Sequence, residues 1–247
     1  MMTQYQISLQ GVPEHPLYAD SAYRLYAWLL EQLPEEAAFW LHESGSAAIS
    51  QFLRYDFQNK QYLWTLNLLS ERACECLIPA LEGITQVWIE NRAFPVTGRA
   101  MRSASPEDLI RLGQEHSSRR STLFFFSPTA FKQNGRYTIF PQEKLILQSL
   151  MMRWNEIFPE YSLNDMDAFQ AMLSGIHVTD YQLRSTRFPL KGVRIPGFTG
   201  SCILEAKLPL PLLELWNTLL LFANYAGIGI KTGLGMGGAC AKQSLHG

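Results

Sequence analysis

The sequence predicts an α+β fold in which the order β-α-β-β-α-β occurs twice, with a cleft between the two copies. Three observations carry this reading. Runs such as QYQISLQ (4–10) alternate apolar and polar residues at the period of a half-buried strand. Apolar residues at helical spacing fill the stretches between such runs, and each helical stretch is announced by a cap or a proline. Short polar turns separate the central strands of each copy. The order is that of two tandem ferredoxin-like (RRM-like) domains, expected over residues 1–118 and 119–247.

In the first copy, QYQISLQ is followed by YADSAYRLYAWLLEQL (18–33), a helix with Asp20 or Ser21 as its cap. A loop around HESGS leads to AAISQFLRYDF and YLWTLNLL, two strand-like runs separated by QNK. SERACECLIPALEG (70–83) is a capped helix closed by glycine, and TQVWIENRAF (85–94) reads as one more strand. SPEDLIRLGQEH (105–116) is a short capped helix, and SSRRS (117–121) a polar linker. The order then returns: TLFFFSP as strand, PQEKLILQSLMMRWNEIF as helix, and IHVTDYQLRSTRF and GFTGSCILEAKL as strands. PLPLLELWNTLLLFANYAG follows as helix and GMGGACAK as the last strand, with a small helical insertion at SLNDMDAFQAMLSG.

At 247 residues, 47% hydrophobic and 17% charged, the chain has ample material for real cores and no signature of disorder. The net charge of −1 does not advertise a nucleic-acid partner, but its distribution is uneven. Residues 1–91 carry 4 basic against 11 acidic side chains, whereas residues 121–247 carry 11 against 8. A neutral chain of that kind can still present a basic face. Four cysteines without framework spacing and five scattered histidines read as reduced thiols, a cytoplasmic setting and no metal site or other cofactor. The N-terminus has no signal-peptide pattern. The apolar stretch 208–230 contains Glu214, Asn217 and Asn224, so it reads as a buried helix and not as a membrane span.

The stretch GIGIKTGLGMGG (227–238) asks for an explanation. Gly233, Gly235 and Gly238 satisfy G-x-G-x-x-G, but too little chain follows for the helix and returning strand of a dinucleotide site. A phosphate loop of the G-x-x-x-x-G-K-[ST] kind fails as well, because Lys231 and Thr232 precede the second glycine cluster. A packed loop and a loop laid against an extended polyanion both stay open from composition alone.

Four segments in register resemble one family. YAGIGIKTGLGMGG resembles the glycine-rich loop of the RAMP superfamily. FFFSPTAFKQNGRYTIFPQEKLILQSLMMRWN and RIPGFTGSCILEAK resemble the central signature and the penultimate strand of CRISPR repeat-processing endoribonucleases. FWLHESGSAAISQFL resembles the segment that carries their catalytic histidine. The resemblance implies metal-independent cleavage of CRISPR precursor RNA within each repeat, by attack of a 2′-hydroxyl on its own 3′-phosphate. The partners it implies are repeat RNA, precursor and processed, with hand-off to a multisubunit effector complex; a homodimer stays open. A non-catalytic RAMP subunit that holds guide RNA is the alternative.

On that resemblance His42 is the acid–base residue, in a loop after the first helix, and histidine suits the task because its ordinary charge change falls near neutrality. Tyr26 is the expected helper, with Tyr23 three positions away. The family's lysine beyond the histidine has no counterpart between positions 43 and 53, so Arg54 is the first candidate cation, with Lys231 in reserve. RNA contacts are expected from Lys132 and Arg136 around the QNG turn and from Arg184, Arg187, Lys191 and Arg194 in one hairpin-like region. In the glycine loop they are expected from Gly229, Lys231, Thr232, Gly233 and Gly235. A basic hairpin is also a common guard against edge-to-edge strand pairing.

Overall fold

A computed structural model describes residues 1–12, 14–44 and 48–243, so Gly45 and Ser46 of the expected HESGS loop, and Ala47 at the start of the expected strand AAISQFLRYDF, lie outside the described residues. The first half contains β1 (Met2–Gln10), α1 (Ser21–Glu31), α2 (Glu35–Ser44), β2 (Ile49–Asp56), β3 (Gln61–Leu68), α3 (Glu71–Gly83), β4 (Gln86–Ile89) and β5 (Arg92–Ala104). The strands form one antiparallel sheet in the order β2-β3-β1-β5-β4. Alternation decides its faces. Tyr5, Ile7 and Leu9 join Leu25, Leu29, Leu77 and Leu81 in a core under α1 and α3. The opposite face carries Gln4, Ser50 and Asn67, and it meets the second half of the chain instead of water. Ser70 starts α3 by accepting from the Ala73 amide, as the sequence predicts.

Two elements differ from expectation. Residues 35–44 form the helix α2, where a loop was expected around HESGS. The run 85–94 is not one strand: Glu90 and Asn91 both take positive φ (51° and 61°) and fold β4 back on β5. That is the geometry of a two-residue hairpin turn, made here without the glycine that would have signalled it.

The second half contains α4 (Pro106–Glu115), β6 (Arg120–Thr129), β7 (Phe131–Gln133), β8 (Arg136–Thr138), α5 (Glu143–Ile157), α6 (Met166–Gly175), β9 (Ile176–Leu190), β10 (Val193–Ala206), α7 (Leu210–Ala226) and β11 (Ala239–Gln243). Its sheet runs β11-β6-β10-β9, the strand order of a ferredoxin-like unit, and β2-β3-β1-β5 in the first half is the same order repeated. The SSRRS linker is more structured than expected. Arg120 opens β6 and pairs with Glu205, while Arg119 donates to the carbonyls of Ala206 and Leu208. Ser105 and Asp108 close a reciprocal capping box on α4. Gly113 lets α4 lie directly on α7, where a Cβ would strike Thr218. The apolar α7 is a core helix, with Trp216, Leu220 and Phe222 buried against Trp154 and Leu150. Among the described residues no helix is long and apolar enough to cross a membrane.

The two sheets are locked together. Ser50 donates to the Tyr225 carbonyl, Gln4 to the Asn224 carbonyl, and the Phe52 ring stacks on Phe126 with centroids 5.8 Å apart. The glycine run seals this junction. A side chain on Gly238 would overlap Phe52, and one on Gly235 would come within 2.7 Å of the Ala22 Cβ. Gly238→Ala should therefore lower the stability of the chain by about 2 kcal/mol, the usual cost of overpacking. Urea unfolding checks this, and the cost should shrink in a Phe52→Ala background; an unchanged midpoint would mean that the loop is not seated on β2.

Candidate active site

The glycine run, α1, α2 and the tip of the β9–β10 hairpin meet around a cavity of about 390 Å³. Its chemically capable lining is Tyr23, Tyr26, His42, Lys191 and Lys231, closed by the backbone of Gly233. His42 stands in the last turn of α2 with its side chain 71% exposed, and its Nδ1 lies 3.6 Å from Glu43 Oε1, too far for a hydrogen bond. The imidazole is therefore free to face a ligand.

Tyr26 differs in kind. It is 6% exposed, its hydroxyl donates to the Leu41 carbonyl at 3.5 Å, and burial pushes its pKa up to about 12. It stays a neutral phenol at physiological pH, able to donate a hydrogen bond but not to act as a base.

Lys231 is placed by backbone geometry. It takes the left-handed conformation (φ 57°) and is exposed, while Leu234 and Met236 donate their amides back to its carbonyl. Gln51 holds the loop to the first half. Its Nε2 donates to the carbonyls of Ala22 (2.9 Å) and Gly233 (3.3 Å), and its Oε1 accepts from Trp64 Nε1 at 2.8 Å. One buried amide thus ties α1, β2, β3 and the glycine loop together. Lys191 arrives from β9 and β10, strands of 15 and 14 residues joined by a two-residue turn in which Lys191 and Gly192 both have positive φ.

The arrangement gathers one imidazole, two phenols and two ammonium groups, an acid–base set beside positive charge. A family model described as CRISPR-associated endoribonuclease Cas6 matches residues 123–239. The CRISPR-associated endoribonuclease Cas6 of Streptococcus thermophilus is 27% identical over 227 residues, covering 91% of this chain and 92% of that protein. Among solved structures, Thermus thermophilus Cas6 superposes with a TM-score of 0.75 at 24% identity, over 98% of each chain. A Cas6 product complex reaches 0.80 at 24% identity, over 98% of this chain and 99% of that one. The chain is similar to the Cas6 endoribonucleases along most of its length and shares their fold.

Within this shared fold the remaining expected residues are distributed unevenly. Arg54 does not join His42. Side chains alternate along β2, so Ser50, Phe52 and Arg54 face the second sheet while Ile49, Gln51 and Leu53 face α1. Arg54 sits over the Phe126 ring (5.1 Å) in a cleft between the two sheets, with Lys242 over Phe124 and Arg102 over Tyr225. The expected hairpin clamp is also split. Arg187 and Arg194 share one face of β9–β10, Arg184 lies on the other, and Lys191 alone reaches the cavity. Lys132 and Arg136 are exposed on the β7–β8 hairpin, whose Asn134–Gly135 turn forms as the sequence predicts, but they occupy opposite faces.

The glycines expected at RNA approach protein first. Gly229 donates its amide to Ser149 Oγ, and a Cβ there would collide with the Ala130 carbonyl. Thr232, Gly233 and Gly235 are buried, and of these Gly233 borders the cavity. Sequence reasoning missed Gln51 and the presence of Lys191 beside His42. An isolated strand glutamine carries no local signal, and Lys191 is remote from His42 along the chain.

Two outcomes test this geometry. Gln51→Ala leaves the buried Trp64 N–H without its partner and removes the side-chain bonds to the Ala22 and Gly233 carbonyls, and should cost about 3 kcal/mol in urea unfolding; a loss well under 1 kcal/mol would remove Gln51 as the tie. The raised Tyr26 pKa fixes the sign of an alkaline effect. Its contribution to stability is fully present below the ordinary tyrosine value of 10.0 and is lost as pH rises towards about 12, because the unfolded phenol ionises first. Tyr26→Phe should flatten the fall of the urea midpoint across that window and remove one phenol titrating at about 12 from the ultraviolet titration.

Proposed function

We propose that this chain is a Cas6-family endoribonuclease that cleaves CRISPR precursor RNA within each repeat, working without a metal ion in the cytoplasm. The observation that carries the reading is the convergence of His42, Tyr26, Lys191 and Lys231 on one cavity beside the glycine loop. The two ferredoxin-like units supply its opposite walls; the expected division at 118/119 assigns α4 to the first unit, although α4 packs on α7 of the second. That the chain resembles a Cas6 product complex across 98% of its length supports the choice of substrate.

The reaction is transesterification within the RNA. The 2′-oxygen of one nucleotide attacks its 3′-phosphorus, the bond from phosphorus to the 5′-oxygen of the next nucleotide breaks, and the products carry a 2′,3′-cyclic phosphate and a 5′-hydroxyl. Two protons have to move, one off the 2′-hydroxyl and one onto the leaving 5′-oxygen. His42, exposed and without a hydrogen-bonded partner among the described residues, acts as the acid or base. Lys231 and Lys191 lie where they stabilise charge gathering on the phosphorane oxygens. Tyr26, held neutral by burial, orients the scissile group with its hydroxyl.

The inter-sheet cleft adds a second RNA surface. Phe124, Phe126 and Phe52 form a run of near-parallel rings with Arg54 and Lys242 over them, and stacked aromatics with flanking cations suit unpaired bases. Arg54 then acts in RNA binding and not in the chemical step.

Labelled repeat RNA in EDTA is the test. Native protein should cut at one position, and His42→Ala should reduce the rate at least 100-fold while RNA binding persists. Lys231→Ala and Lys191→Ala should each slow cleavage by about tenfold. Tight binding without cutting by the native protein would replace the enzyme with a guide-holding RAMP subunit.

A further inference from the structure

A second cationic groove lies on the other side of the glycine loop, between α5 and the β7–β8 hairpin. It encloses about 900 Å³ and is lined by Lys132, Lys144, Ser149, Arg153, Glu156 and Gly229 among others. Arg153 sits at its floor with a side chain only 10% exposed. Nη1 pairs with Glu156 Oε2 at 3.0 Å, whereas Nε and Nη2 are buried without a hydrogen-bond partner. Those two nitrogens form one edge of the guanidinium, the planar fork that matches two oxygens of a phosphate or carboxylate. Burial works against the charge, and Glu156 only partly offsets this. A buried fork left open is costly, and native chains rarely keep one without a ligand or water to fill it.

The glycine loop borders both the groove and the catalytic cavity. Ile230 lines the groove and Lys231, the next residue, lines the cavity, so the loop has one site on each flank. Lys132 and Lys144 are exposed at the groove and have no ion-pair partner among the described residues. We propose that this groove is an oxyanion site in which the free edge of Arg153 takes one backbone phosphate of the RNA strand that passes the glycine loop, with Lys132 and Lys144 on its walls. The proposal rests on the RNA-cleaving function above. It makes Arg153 a binding residue outside the reacting set.

The experiment uses the full chain and a repeat RNA carrying a 2′-deoxy nucleotide at the cut site, which isolates binding from cleavage. Arg153→Met should weaken binding about tenfold, the loss of one charge-assisted pair. It should also make the plot of log affinity against log salt shallower by about 0.7, the share of one single-strand phosphate. Arg153→Lys, which keeps charge and length, should recover part of the affinity and serves if the methionine variant fails to fold. Phosphate-ethylation interference should reveal one RNA phosphate whose modification weakens the native protein but adds nothing in the variants. Unchanged affinity and slope in both variants, or no such phosphate, would overturn the assignment. Inorganic phosphate supplies the second arm. If it raises the melting temperature of the native chain but not of the variants while RNA affinity stays equal in all three, the site serves a free oxyanion and the RNA assignment falls. If the native chain binds no repeat RNA, the proposed function fails, and the phosphate arm alone decides whether Arg153 forms an oxyanion site.

Discussion

The side-chain amide of Gln51 is the tie on which the geometry of the cavity depends. It is buried, every one of its hydrogen bonds is made inside the protein, and its three partners lie on α1, β3 and the glycine loop. A buried amide is tolerable only when satisfied, so the four elements must keep the spacing at which Gln51 reaches all of its partners. Tyr23 and Tyr26 ride on α1, and Lys231 on the loop. Their common position is the consequence of one amide that has nowhere else to bond.

The glycine loop is shaped first by packing. Gly227, Gly229, Gly235 and Gly237 take positive φ, and Gly235 and Gly238 press against Ala22 and Phe52 of the first half. Its amides bond to the protein itself, Gly237 to the Pro128 carbonyl and Gly238 to Ser127 Oγ among them. Packing this close leaves Lys231, in the left-handed position, as the loop's charged side chain at the cavity. A small apolar cluster of Phe188, Leu190, Ile195 and Met236, with Tyr23 against it, then brings the β9–β10 hairpin onto the same loop and delivers Lys191. Under the proposed function, packing and RNA binding are not competing explanations for the glycines, since the first would create the surface for the second.

Charge follows the same logic. A chain with a net charge of −1 has no global field to draw a polyanion, so any attraction must come from local grouping. The fold supplies it at three places: the lysine pair beside His42, Arg54 and Lys242 over the stacked phenylalanines with Arg102 in the same cleft, and the groove around Arg153. Two of these border the glycine loop and the third lies between the sheets whose junction it seals.

Much of this molecule is legible in its residues taken in order. The alternation of QYQISLQ, the helical spacing of α1, α5 and α7, the Ser70 and Ser105 caps and the Asn134–Gly135 turn are local signals. They determined two βαββαβ units, because propensity and periodicity act over a few neighbouring residues. The segment around His42 was legible through its resemblance to a family, although the histidine stands on a helix where a loop was expected. The membership of the site was not legible. Arg54 is near His42 in sequence and absent from its cavity, because strand alternation turns it to the opposite face. Lys191 is far along the chain and present, because two long paired strands carry a hairpin tip there. The free fork of Arg153 likewise exists only because α5 buries it beneath the loop. Which side chains share a space is decided by sheet faces, hairpin reach and the packing of two units, and none of these has a signature within a short window of sequence.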